Sequence, residues 1–284
     1  MDILVCLEGS PSTERAIEVA FAIALELRHA DPAAQPATLV GLAIVDEPDI
    51  VAGAATSIGG ASFRKDRDAA LLDDARARAR GWLDALVARG RAAGVTVRAL
   101  ELAGRPAELI LAEAPRHDLI VLGRDVNFRF ETQDRDRYTR DRVLRRAGRP
   151  ILVVPEPLAI TGTAAMVCYD GSPAATRALH SFAGSGLARG RQVHVATVHD
   201  DGATAFEIAA RGCALLAERG VHALPENVVS TESITGALLT RRAALGAGLI
   251  VLGGYVPSPL ARLVWGSVTH ELLEHTVVPV FLHY

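Results

Sequence analysis

The fold is decided by a stretch that occurs twice, first as Ile3-Leu-Val-Cys-Leu-Glu-Gly-Ser-Pro11 and again as Ala165-Met-Val-Cys-Tyr-Asp-Gly-Ser-Pro173. Each version begins with a continuous apolar run, which is typical of a β-strand covered on both faces of a parallel sheet. The serine that follows can cap a helix, and the proline after it suits the first helical position. Both stretches therefore predict a strand, a tight turn and a helix.

Two further blocks repeat in the same order. Asp118-Leu-Ile-Val-Leu-Gly123 corresponds to Gly248-Leu-Ile-Val-Leu-Gly253, and Arg149-Pro-Ile-Leu-Val-Val154 corresponds to Val278-Pro-Val-Phe-Leu-His283. Three blocks in one order indicate a tandem duplication. A chain of 284 residues has room for two domains of common size, which we call the first copy and the second copy.

Between the repeated blocks, apolar runs alternate with helical patterns of ten or more residues. This alternation predicts an α/β fold with right-handed crossovers, so each copy is expected to be a Rossmann-like domain, a five-stranded parallel sheet with helices on both faces. We expect the first domain at 1–155, a linker at 156–163 and the second domain at 164–284. The small residues of 51–62 predict a mobile loop in the first copy.

Composition argues against several classes of function. The net charge is -3, from 30 basic and 33 acidic residues, and gives no reason to bind nucleic acid or a membrane surface. Lys65 is the only lysine and lies far from the glycine-rich turns, which excludes a Walker-type phosphate loop. No apolar run reaches membrane-spanning length without a charge. Three cysteines without paired spacing, and no signal-peptide pattern, lead us to expect a cytoplasmic protein.

The predicted ligand site lies in the second copy, beyond the carboxyl ends of its first and fourth strands. Ligands of open parallel sheets bind where the strand order reverses. Two turns meet there, Asp170-Gly171-Ser172 and Gly253-Gly254. Glycines let backbone N–H groups approach an anion, and the helix that starts near Gly266-Ser267 adds positive charge. Arg262 is the only basic residue of the intervening loop, so the sequence predicts an anion site made mostly of backbone.

These motifs resemble those of the tandem universal stress proteins. In the nucleotide-binding form of that family, a glycine is followed after two residues by a second glycine and, after nine more, by glycine with serine or threonine. Gly253 corresponds to the first glycine, and Gly266 with Ser267 corresponds to the last pair. Val256 stands where the family has its second glycine. Three of the four motif positions therefore match.

The resemblance implies that the second copy binds ATP, with Mg²⁺, and turns it over little or not at all. It also implies that Asp170 lies beside the nucleotide and that the backbone near Val198 meets the base. Carboxylate and phosphate oxygens together suit Mg²⁺, which gives Asp170 a second role. No set of residues combines a nucleophile with a placed general base, so at most a weak ATPase is expected.

The first copy departs from this pattern. Gly123 remains, but Arg137 and Tyr138 occupy the places of the glycine–serine pair. Because bulky side chains there would fill the space for phosphates, we interpret the first copy as a non-binding partner domain.

Other functions stay open. The chain could be a ligand-free interaction module in which Pro150–Val154 and Pro279–His283 pair as an intramolecular pseudo-dimer, with a homodimer formed through the apolar second half. Another small ligand, apolar or lipid-like, could occupy the same cleft.

A zinc site is not expected from His270 and His275. They lie five residues apart, ~140° around a helix, whereas the metalloprotease motif needs a spacing of four. Exposed pairs of His270 with Glu274 and of Glu271 with His275 are expected instead.

Overall fold

The computed structural model describes residues 1–30, 32–33, 35–52, 61–126, 128, 138–159, 162–231, 233–254 and 265–284. The strands are β1 Asp2–Leu7, β2 Thr38–Val45, β3 Thr96–Ala103, β4 Leu119–Gly123, β5 Ile151–Val154, β6 Ala164–Cys168, β7 Val193–His199, β8 Ala223–Val229, β9 Ala247–Gly253 and β10 Val280–His283. The helices are α1 Pro11–Ala30, α2 Glu47–Ala52, α3 Ala61–Ala93, α4 Pro106–Glu113, α5 Tyr138–Arg146, α6 Pro173–Gly184, α7 Gly202–Ala217, α8 Ile234–Ala244 and α9 Trp265–His275.

The ten strands form one continuous sheet, in the order β3-β2-β1-β4-β5-β10-β9-β6-β7-β8. Neighbouring strands are parallel within each copy, and β5 pairs antiparallel with β10 at the centre, where Leu152 lies opposite Phe281. The last strands of the two copies therefore join the halves, which confirms the predicted intramolecular pseudo-dimer and the predicted Rossmann-like fold.

In each copy the strand order reverses beside the first strand. The chain runs from β1 through β2 to β3 on one side and then crosses to β4 on the other, and β6 to β9 repeat this path. Carboxyl ends of adjacent parallel strands border a crevice at such a reversal, and α/β proteins bind ligands there. The second copy has this crevice between β6 and β9.

Apolar helix faces cover the sheet on both sides. One buried cluster lies under α1, α3, α6 and α7, and a second lies under α4, α5, α8 and α9. Across the first cluster, the rings of Phe182 in α6 and Phe281 in β10 meet edge to face, with centroids 6.0 Å apart. Ile3 to Leu7 of β1 are at most 1% exposed, as expected for a strand covered on both faces.

Both ends of the loop predicted at 51–62 are helical instead. Val51 and Ala52 belong to α2, and Ala61 and Ser62 belong to α3, while residues 53–60 lie outside the described residues. The short helix forms because the carboxylate of Asp46 accepts the N–H of Asp49 at 3.2 Å, which satisfies one of the free donors of its first turn. Within the described ranges, no helix is long and apolar enough to cross a bilayer.

Candidate functional site

The turn after β6 holds a carboxylate at the edge of the second copy's crevice. Asp170 accepts the N–H of Ser172 at 2.9 Å, which closes a tight turn around Gly171. Gly171 has φ +80°, a backbone conformation that favours glycine. The Ser172 hydroxyl in turn accepts the N–H of Ala175 at 3.1 Å and caps α6. The sequence Asp-Gly-Ser-Pro therefore fixes both the carboxylate and the helix start, as predicted.

Gly253, at the end of β9, lies against the first turn of α6. A Cβ atom on Gly253 would stand 2.5 Å from the backbone nitrogen of Ala175, closer than real contacts allow. Pairing of Cys168 with Leu252 brings the ends of β6 and β9 side by side. The close approach of helix and strand is therefore sufficient to explain this glycine.

Gly254 cannot contribute its N–H to the predicted anion site. That N–H donates to the carbonyl oxygen of His283 at 2.9 Å, continuing the ladder between β9 and β10. A Cβ atom on Gly254 would also run into the ring of Tyr284. Burial raises the pKa of Tyr284 to about 12, so its hydroxyl stays protonated at neutral pH. The sequence pattern did not reveal this contact, because it links residues 30 positions apart.

The remaining predicted site residues belong to α9, to β7 and to positions 255–264 before α9. Gly266 and Ser267 are the second and third residues of α9, which begins at Trp265. Their N–H groups belong to the helix end that suits an anion. Val198 lies near the carboxyl end of β7, opposite Val228 of β8. Val256 and Arg262 lie outside the described residues.

In the first copy, the chain itself binds the corresponding carboxylate. Glu8 accepts the backbone N–H of Phe128 at 2.8 Å. Phe128 is 2% exposed, packs in the cluster under α4 and α5, and has φ 60°, which is uncommon for a residue other than glycine. Of the two residues expected to fill this copy's phosphate space, Tyr138 begins α5 and Arg137 lies outside the described residues. The backbone of Phe128, five residues after β4, thus occupies an acceptor of Glu8.

Comparison with known proteins gives one curated relative. The universal stress protein Slr1230 of Synechocystis sp. (strain ATCC 27184 / PCC 6803 / Kazusa) is 28% identical over 165 residues, which cover 57% of this chain and 56% of that protein. The match thus spans about half of the relative's length. No protein-family model matches the chain.

Solved structures match over the whole length. A universal stress protein from Archaeoglobus fulgidus DSM 4304 covers 99% of this chain and 97% of its own, with a TM-score of 0.69 and 16% identity. The chain resembles the tandem universal stress proteins. A putative universal stress protein from Pseudomonas aeruginosa UCBPP-PA14 covers 99% of this chain and 92% of its own, with a TM-score of 0.51 and 15% identity. At these identities the two structures establish the fold.

The two copies of this universal-stress-protein fold differ in what lies over the turn after the first strand. In the first copy the ring of Trp82 in α3 lies against Gly9, so that a Cβ atom there would be 2.6 Å from Cε2. In the second copy a guanidinium nitrogen of Arg211 in α7 lies 3.8 Å from the place of a Cβ atom on Gly171. An aromatic ring therefore covers one turn and a cation reaches the other. No spacing in the sequence pointed to Arg211, because the packing of α7 against the turn decides it.

The thiols of the two first strands, Cys6 and Cys168, are buried and favour the protonated form. Burial, with a smaller contribution from the charge of Asp170, raises the pKa of Cys168 to about 12. Burial and the charge of Glu8 raise the pKa of Cys6 in the same direction. Both cysteines are free and stay protonated at neutral pH, so they act as small apolar side chains.

The two histidines of α9, His270 and His275, each contact a residue four positions away in the same helix. His270 Nδ1 lies 3.9 Å from the carboxylate of Glu274, which is one of the two expected pairs. The other pair does not form, because Glu271 accepts the hydroxyl of Thr235 at 2.7 Å and His275 Nδ1 donates to the carbonyl oxygen of Glu271 at 3.1 Å. Among the residues that the structure describes, no three His, Cys, Asp or Glu side chains form a metal-binding group.

Proposed function

We propose that the second copy binds a nucleotide, ATP or a close relative, with little or no turnover, in a regulatory protein of the stress response. The observation that carries this proposal is the position of Asp170, whose carboxylate stands at the reversal of strand order beside the end of β9. The first copy, with Phe128 bonded to Glu8, serves as a partner domain that holds no nucleotide.

We expect the phosphate end of the ligand to lie between the N-termini of α6 and α9, close to the guanidinium group of Arg211. Backbone N–H groups of Gly266 and Ser267 in α9 would face the phosphates, and the turn at Gly171 brings the chain close without a side chain. Arg211 adds a charge within reach of that turn. Asp170 suits a Mg²⁺ ion shared with phosphate oxygens.

The state of the candidate side-chain nucleophiles supports the proposal of little or no turnover. The Ser172 hydroxyl is engaged as a helix cap, and the Cys168 thiol stays protonated. Neither side chain is therefore activated for attack on a phosphate.

The adenine base of the nucleotide would lie along the end of β7 near Val198, as the family resemblance implies. We place the domains at 1–155 and 164–284, with 156–163 as the linker, and the protein in the reducing cytoplasm.

Isothermal titration of the full chain with ATP and Mg²⁺ tests the proposal, and the duplication supplies a matched control. Asp170→Asn removes the charge from the second copy's crevice and is expected to weaken ATP binding about tenfold. Glu8→Gln makes the same change in the first copy and is expected to leave binding unaltered. Gly266→Trp is expected to abolish it. No saturable binding at millimolar ATP, or equal losses from Asp170→Asn and Glu8→Gln, would refute the proposal.

A ligand-free interaction module is the second candidate, and two contacts favour it. Gly253 and Gly254 are explained by packing against Ala175 and the ring of Tyr284, with no ligand involved. The antiparallel pairing of β5 with β10 already gives the chain the form of a dimer. A wild-type chain that is folded but binds neither ATP nor adenosine would favour this module.

A further inference from the structure

One arginine of the first copy reaches the second copy's last helix. Arg124 follows β4, and its Nη1 donates to the carbonyl oxygens of Glu274 and Thr276, each at 3.2 Å. Its Nη2 donates to the carbonyl oxygen of Glu156 in the linker. The side chain is 14% exposed, so these bonds are largely shielded from water. A cation therefore stands at the carboxyl end of α9, where helix carbonyls have no partners within the helix.

A second arginine supports the first. Arg140 in α5 has a fully buried side chain, and its Nη1 donates to the carbonyl oxygen of Arg124 at 2.9 Å. The same nitrogen lies 3.4 Å from a carboxylate oxygen of Glu274. Its Nε donates to Asp141 at 3.0 Å. The backbone of Arg124 and the last turn of α9 are thus held by one buried group.

The second copy has no arginine at the position that corresponds to Arg124. The residue that follows the fourth strand of the second copy is Gly254, which has no side chain to send to the first copy. The first copy therefore donates to backbone carbonyls of the second copy's last helix at this point, whereas the second copy meets α5 through the carboxylate of Glu274, which lies 3.4 Å from Arg140 Nη1. This difference between Arg124 and Gly254 agrees with the proposed function, because the copy that is proposed to bind no nucleotide supplies the arginine that contacts α9.

We propose that Arg124 is a positioning residue for nucleotide phosphates in the second copy. This inference rests on the proposed function. Helix α9 has eleven residues and behaves as a short rod about 16 Å long, so fixing its carboxyl end also fixes its first turn. That first turn carries Gly266 and Ser267. The segment after β4 in the first copy has thus lost its own phosphate site and instead sets the position of the other copy's site.

The test uses the full chain with two substitutions of Arg124. Arg124→Met keeps the apolar stem and removes all donors, while Arg124→Lys keeps the charge but replaces the two donor nitrogens of the planar guanidinium by a single ammonium nitrogen. We expect Arg124→Met to weaken Mg²⁺–ATP binding about tenfold and Arg124→Lys to weaken it less. The matched control is Arg116→Met, because Arg116 is another first-copy arginine whose bonds to Glu113 and Ala112 are exposed. It is expected to leave binding unchanged.

Adenosine distinguishes positioning from general damage, because it lacks phosphates. If Arg124 positions the first turn of α9, Arg124→Met lowers affinity for ATP and leaves affinity for adenosine unchanged. Equal losses for both ligands, or no loss for ATP in either variant with the wild type still binding, would overturn the inference. A wild-type chain that binds no ATP would instead overturn the proposed function first. Should Arg124→Met fail to fold, Arg124→Lys supports the same comparison of ligands.

Discussion

The crevices of the two copies share the same turn after the first strand, but the carboxylate in that turn has a different hydrogen-bond partner in each copy. In the first copy, Glu8 accepts the backbone N–H of Phe128. Arg124, which follows β4, donates to the carbonyl oxygen of Glu274 in the second copy. In the second copy, Asp170 bonds within its own turn to Ser172. The strand, turn and helix cap are shared, so they belong to the scaffold. Among the described residues, the copies differ at the positions after the fourth strand, where Arg124 of the first copy corresponds to Gly254 of the second.

The largest expected effect concerns Phe128, the residue that most clearly separates the copies. Phe128→Ala removes a buried ring and is expected to lower the free energy of unfolding by about 3 kcal/mol, measured by urea denaturation. Phe206→Ala is the control, since Phe206 is 49% exposed and its loss should change stability by less than about 0.5 kcal/mol. A second equivalent of bound ATP in Phe128→Ala would show that packing of this ring keeps the backbone N–H of residue 128 on Glu8.

A smaller effect tests what the two copies share. Gly123 and Gly253 each lie against the first turn of the first helix in their own copy, α1 or α6, where a Cβ atom would stand 2.7 Å from the carbonyl carbon of Ser12 or 2.6 Å from that of Ala174. Each substitution by alanine is expected to lower the free energy of unfolding by about 2 kcal/mol through overpacking. If Gly253→Ala leaves stability intact and removes only ATP binding, Gly253 serves the ligand and the packing explanation is wrong.

Gly81 provides the control for both glycine substitutions. It lies in the long helix α3, and a Cβ atom there would have no neighbour within 4 Å. Gly81→Ala is therefore expected to raise the free energy of unfolding by about 0.5–1 kcal/mol, because alanine restricts the unfolded chain and favours the helix. A loss of stability in this control would mean that the alanine series does not report packing.

The smallest effect concerns a histidine that the second copy lacks. His117 precedes β4 and is 4% exposed, with no hydrogen-bond partner for either ring nitrogen among the described residues, whereas the second copy has Ala247 there. Burial lowers the pKa of His117 below its ordinary value of 6.5. The folded state therefore binds this proton less readily than the unfolded chain, and stability present above about pH 6.5 is lost as the pH falls toward the folded pKa.

Charged neighbours limit the size of this effect. Carboxylates of Glu113, Asp2 and Asp118 favour the protonated ring, while Arg98 disfavours it. Urea unfolding of the wild type and His117→Leu at pH 7.5 and pH 5.5 measures the outcome. We expect the variant to lose less stability on acidification than the wild type. An identical loss in both proteins would show that His117 is not the group responsible.

Much of the scaffold could be predicted from the sequence, because its signals are local. The repeated Gly-Ser-Pro turns and apolar runs fixed the positions of β1, β6 and the helices after them. Helix α2 was not predicted, since it has six residues and depends on a cap from Asp46. The pairing of β5 with β10 followed from the family resemblance rather than from any periodicity.

The site was less predictable, because its decisive contacts join distant residues. Phe128 meets Glu8 across 120 positions, and Arg124 meets Thr276 across 152. The bond from Gly254 to His283 removes an N–H that the motif alone had assigned to the anion. Such contacts depend on how helices and strands are placed against each other, and a motif read along the chain does not contain that information.

Joining β5 to β10 within one polypeptide has a consequence for how such a protein can change. In a symmetric homodimer every substitution appears twice, so a side chain that helps one site by blocking the other cannot be used. Here the halves are covalently tethered and can acquire substitutions separately. Arg124 opposite Gly254 is a combination that two identical subunits cannot display, and it allows one half to specialise in support of the other.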